Sequence, residues 1–84
     1  MNKPSMSHTA PTADAVIKAC DLLERLGEIF SPANVDYEFY NGTNRFLVLH
    51  GGVWHTITFS DTTLLIRAPA DLQNEISKVI RVGC

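Results

Sequence analysis

The sequence lacks the features that announce most dedicated functions. It has no closely spaced pair of cysteines: Cys20 and Cys84 stand alone, too few for a disulfide framework, although one bridge between them stays open. No apolar run approaches the ~18 residues of a membrane helix, and the first residues show no charged-then-apolar leader, so a cytoplasmic protein with reduced thiols and no membrane contact is expected. Charge of one sign is missing too. Seven basic residues against nine acidic ones give a net charge of −2, which counts against a binder of duplex nucleic acid with its basic stripe. The chain contains no phosphate-binding glycine loop, no His-Glu-x-x-His helix and no Gly-x-Ser-x-Gly elbow, so no catalytic residue, cofactor or metal site is assigned and a non-enzymatic protein is expected.

With 84 residues, 45% of them apolar, the chain suits one small domain with a modest core. Residues 1–11 hold polar residues and two prolines with scattered apolar side chains and read as a flexible tail, leaving 12–84 as a single α+β domain.

The most informative stretch is Val35 to Arg67, alternating apolar and polar residues broken by Asn41-Gly42, Gly51-Gly52 and Ser60-Asp61-Thr62-Thr63. Asn-Gly between alternating runs is the strongest short hairpin signal, because both central residues of a type I′ turn need positive φ. A two-residue turn there pairs Tyr40 with Thr43, Glu38 with Arg45 and Tyr37 with Phe46. Gly51-Gly52, read likewise, pairs His50 with Val53, Leu49 with Trp54 and Val48 with His55. The third connection places Phe59 opposite Leu64, which predicts a four-stranded antiparallel meander.

Paired residues share a sheet face, and the hairpins agree on the assignment. One face collects Val35, Tyr37, Phe39, Phe46, Val48, Val53, Ile57, Phe59, Leu64 and Ile66, with Asn44, His50 and His55 as polar members. The other holds Asp36, Glu38, Tyr40, Thr43, Arg45, Leu47, Leu49, Trp54, Thr56, Thr58, Leu65 and Arg67.

A first helix is expected from Thr12, a usable N-cap, to Phe30, where Ser31-Pro32 ends it. Its polar residues Asp14, Lys18, Asp21, Glu24, Arg25 and Glu28 crowd into a narrow sector, leaving an apolar arc of roughly 200°, about twice what one contact hides. Either the helix lies between the sheet and a second helix, or the edge formed by Leu22, Leu26 and Ile29 meets another chain, a second copy being the simplest. The second helix opens at Ala68-Pro69-Ala70-Asp71, carries the stripe Leu72, Ile76, Val79 and Ile80, and stops near Gly83. The predicted order is helix, four strands, helix (αββββα), with both helices on the Phe46/Ile57/Ile66 face.

Little in this framework points to chemistry. His50 and His55 face the covered side and could converge with Cys20, but a hydrogen-bonded histidine at the core margin is the plainer reading. The open face is different. Leu47, Leu49, Trp54, Leu65 and Tyr40, ringed by Asp36, Glu38, Arg45 and Arg67, have the composition of a protein interface. The leading expectation is therefore a protein-binding regulator, inhibitor or adaptor, self-associating if the first helix edge pairs. In size and charge it is like the small acidic proteins with which mobile elements block host machinery. The alternative is single-stranded nucleic-acid binding on the same face, with Trp54 and Tyr40 stacking on bases and Arg45 and Arg67 meeting phosphates.

Overall fold

Turn chemistry sets the sheet. Asn41 and Gly42 take φ of 54° and 81°, and Gly51 and Gly52 take 64° and 77°, the left-handed conformations that two-residue hairpin turns require. They join β1 (Val35–Tyr40), β2 (Thr43–His50) and β3 (Val53–Ser60) into an antiparallel sheet of order β1-β2-β3. The observed pairs, among them Glu38 with Arg45, Tyr37 with Phe46, Val48 with His55 and Leu49 with Trp54, are those expected from the sequence. The computed structural model describes residues 13–82; the expectations for the tail, the Thr12 cap, the Gly83 stop and Cys84 fall outside the described residues.

The expected fourth strand is a helix. The chain runs α1 (Ala13–Phe30), a 3-10 turn (Pro32–Asn34), the three strands, α2 (Asp61–Ile66) and α3 (Pro69–Val82). Ser60 caps α2, its Oγ accepting from the Thr63 N–H at 3.1 Å, and the Arg67 N–H closes the last turn on the Thr63 carbonyl at 3.0 Å. A strand would have sent both Leu64 and Ile66 inward. The helical turn buries Leu64 completely and leaves Ile66 76% exposed. Ser60-Asp61-Thr62-Thr63 is thus a helix start rather than a hairpin loop, and Leu65 and Arg67 do not extend the sheet.

The helices divide their work. The α1 and α2 helices lie against the sheet, whereas α3 packs chiefly on α1 and reaches the shared core through Leu72, Ile76 and Ile80. The expected arrangement of both long helices directly on the sheet is corrected accordingly, because the apolar stripe of α3 finds its partner on α1. Ala15, Ala19, Leu22 and Leu26 form the buried side of α1, with Phe46, Val48, Phe59 and Leu64 completing the core. Leu22 and Leu26 are therefore not an outward edge, and Val79, expected in the buried stripe of α3, is exposed.

Among the described residues one polar residue sits fully buried inside this core. Asn44 on β2 is fully buried, and burying its amide without partners would cost on the order of 1–3 kcal/mol. Its Oδ1 accepts from the Tyr37 hydroxyl at 2.5 Å, and its Nδ2 donates to Asp61 Oδ1 at 2.6 Å and to the Phe59 carbonyl at 3.3 Å. The Asp61 N–H also reaches the Gly42 carbonyl at 3.3 Å. These bonds tie the first hairpin to the start of α2. Burial, the Asp61 carboxylate and Cys20, in that order, push the Tyr37 phenol above its ordinary value of 10.0.

Ser60→Ala should lower stability by about 1 kcal/mol through loss of the cap, whereas Ile66→Ser should shift it by less than about 0.5 kcal/mol; urea unfolding of both variants checks this. An inward Ile66, as in a fourth strand, would make the second change the costlier.

A phenol that binds its proton more tightly in the folded state gives stability that is full below the unfolded value near 10.0 and lost as pH rises above it. Urea midpoints should therefore fall between pH 9 and pH 11. In Tyr37→Phe that fall should shrink, while stability at pH 7 drops by roughly 1–3 kcal/mol because Asn44 Oδ1 loses its donor.

Candidate functional site

Strand alternation turns Asp36, Glu38, Tyr40, Thr43, Arg45, Leu47, Leu49, Trp54, Thr56 and Thr58 to one side of the sheet, opposite the buried Asn44, Phe46 and Val48. None of these ten is fully buried, so this face is open among the described residues. Leu49 and Trp54 form a cross-strand pair, and Leu47 lies two residues along β2 on the same face. Trp54 remains 49% exposed. Beside this patch, Arg45 Nη1 donates to Glu38 Oε1 at 2.7 Å, making a charged border.

The other expected site residues lie elsewhere. Tyr40, 68% exposed, sits opposite Thr43, six residues along β2 from Leu49, or about 20 Å at strand rise. Leu65 is exposed on α2 rather than on the sheet. Arg67 follows α2 and is held by α3: its Nε donates to Asp71 Oδ2 at 2.8 Å and its Nη1 lies 2.7 Å from Glu75 Oε1. The Asp71 bond first and the Glu75 bond second keep its guanidinium even more firmly protonated than usual. Arg67 thus fastens the α2–α3 connection to α3 and is not part of the sheet surface.

Among the described residues the sheet has two free edges, and they differ. In a hairpin with a two-residue turn the residues flanking the turn form a hydrogen-bonded pair, so Val35, Tyr37 and Phe39 turn their backbone groups to the outer side of β1. Asp36 guards that edge, its Oδ1 accepting from the Tyr37 N–H at 2.8 Å. By the same count Trp54, Thr56 and Thr58 point theirs outward from β3, whose eight residues carry no Asp, Glu, Lys or Arg.

The histidines do not meet Cys20. The ring of His50 lies 5.8 Å from Phe30 in edge contact and 6.4 Å from His55, at the Gly51 end of the sheet. Cys20 is ten residues before Phe30 on α1, about 15 Å up the helix. Among the described residues no group of three or more His, Cys, Asp or Glu is placed to hold a metal ion, and no helix is long and apolar enough to cross a membrane.

A second surface went unassigned in the sequence. Cys20, Leu23, Glu24, Gly27 and Glu28 on α1, with Pro32 and Val35, line an open groove of about 520 Å³. Its signal was the excess apolar arc of the first helix. The excess is present, but of the expected edge Leu22 and Leu26 are buried and Ile29 is exposed, and the flank beside the groove runs through exposed Val16 and Cys20 and half-buried Leu23. Wheel geometry gives both flanks equal claim, and only the position of α3 decides between them.

No family model matches this sequence, and neither the curated proteins nor the solved structures give a match.

Trp54→Ala should cost no more than about 1 kcal/mol in thermal or urea unfolding, the scale of one cross-strand pair on an open face. A loss of roughly 3–5 kcal/mol, as for a large core residue, would place Trp54 in the core instead.

Proposed function

We propose that this chain is a small protein-binding module, a regulator, inhibitor or adaptor that acts by occupying another protein through its open sheet face. The observation that carries this reading is the half-exposed Trp54, the chain's single tryptophan, beside Leu49 and Leu47 on a face with no helix over it among the described residues. An aromatic anchor in an apolar patch with a paired arginine at its border is the composition of an interface centre. The uncharged edge of β3 adjoins the patch and offers the same partner backbone hydrogen bonds.

Single-stranded nucleic-acid binding on this face is not favoured. Arg45 has its carboxylate partner, Arg67 is turned to α3, and Tyr40 stands at the far end of the sheet from Trp54. A stacking groove needs rings and unpaired cations along one track.

Affinity capture with the native chain, followed by identification of the retained protein and titration of the purified pair, tests the proposal. Trp54→Ala is expected to weaken that complex by about 2 kcal/mol, roughly thirtyfold, as for a hot spot. Unchanged affinity in this variant would remove the open face from the interface. Binding of a labelled single-stranded oligonucleotide at low salt, lost at high salt, would favour the nucleic-acid reading instead.

A further inference from the structure

The groove beside α1 has features that restrict what fits it. Val16, Cys20, Leu23 and Gly27 recur at i, i+4, i+7 and i+11, the spacing of a helix-packing stripe, and lie beside the buried stripe Ala15, Ala19, Leu22 and Leu26. The α1 helix therefore carries two such stripes: the core takes the first whole, and of the second Gly27 is buried and Leu23 packs partly against the core, while Val16 and Cys20 stay exposed. The second stripe is about 16 Å long, three turns of helix. Gly27 and Pro32 close one end: a Cβ on Gly27 would stand 3.4 Å from Pro32 Cα, so the proline sits down on the helix backbone.

The border is acidic. Glu24 and Glu28, one turn apart and both exposed, line the groove without an ion pair among the described residues, whereas Asp21 on the same helix is held by Arg25 at 3.3 Å. Among the described residues no Lys or Arg lines the groove. A second copy meeting it face to face across a two-fold axis would bring four carboxylates together, and an anionic membrane or a nucleic acid would be repelled by the same pair. Strand addition is also disfavoured on this side, because the Asp36 carboxylate already occupies the Tyr37 amide on the edge of β1. An occupant must contribute apolar side chains and positive charge rather than backbone.

We propose that the groove between α1 and the start of β1 is a docking site for a basic amphipathic helix of a partner protein, its apolar side chains on Leu23, Gly27, Pro32 and Val35 and its Lys or Arg residues against Glu24 and Glu28. This site is separate from the open sheet face and does not depend on it.

Two synthetic amphipathic peptides test this, with one leucine pattern and either Lys or Glu at every polar position. They are titrated by fluorescence anisotropy against the full chain carrying Cys84→Ser, so that Cys20 is the one remaining thiol. The lysine peptide should bind at least tenfold more tightly than the glutamate peptide and slow maleimide alkylation of Cys20 at least fivefold. Glu24→Lys combined with Glu28→Lys should invert the preference, whereas Asn74→Lys on α3 and Trp54→Ala on the sheet should leave it unchanged. Equal affinity for both peptides, no binding of either, or binding without protection of Cys20 would overturn the proposal. Loss of peptide binding in Trp54→Ala would move the site to the sheet face and overturn it as well. So would a dimer in sedimentation that Leu23→Lys dissociates, which would make the occupant a second copy.

Discussion

The bond between Asn44 and Asp61 is the constraint on which the arrangement of elements turns. An asparagine on the covered face of the central strand is costly unless its amide is paired, and Asn44 finds its partners on three separate segments. Tyr37 comes from β1, the Phe59 carbonyl from the end of β3, and Asp61 from the first turn of α2. Meeting Asn44 at 2.6 Å holds Asp61 where β3 ends, and the adjacent Ser60 then caps the helix that follows. A polar residue thereby decides that the chain leaves the sheet after three strands. Apolar burial alone does not account for that choice, since a fourth strand would have turned both Leu64 and Ile66 inward, whereas the helix leaves Ile66 exposed.

Leaving the sheet early has consequences for both surfaces of the molecule. Without a fourth strand, β3 becomes an edge, its outer backbone groups lie beside Trp54, and the open face narrows to the Leu47, Leu49 and Trp54 patch. With α2 and α3 folded back onto α1, the Leu22 and Leu26 side is consumed by the core, and exposed Cys20 with half-buried Leu23 borders the open groove. The two free strand edges are treated differently in the same step. Charge and a side-chain cap block β1, while β3 carries neither, which separates a side suited to side-chain docking from a side suited to backbone pairing.

The site is thus built from ordinary parts whose exposure is unusual. Leu49 and Trp54 stabilise a hairpin by pairing across it, and the same pair, uncovered, forms the apolar centre of a candidate interface. Arg45 and Arg67 show how strongly position governs meaning. One borders the patch in a pair with Glu38, and the other, two residues beyond Leu65, serves as a clasp between α2 and α3.

Local rules were enough for the sheet's first three strands. Asn41-Gly42 and Gly51-Gly52 require conformations that few other residues adopt, and once those turns are placed, a period of two leaves one register that keeps Phe46, Val48 and Phe59 together. Both long helices were legible for a similar reason, since a period of 3.6 between a proline boundary and a cap has few alternatives. Tertiary structure alone decided the state of residues 61–66, the outward flank of α1 and the address of Arg67. Six residues are too few for periodicity to separate helix from strand, and a 200° apolar arc has two flanks of equal claim. In each case a distant contact made the choice: Asn44 for α2, α3 for α1, and Asp71 with Glu75 for Arg67.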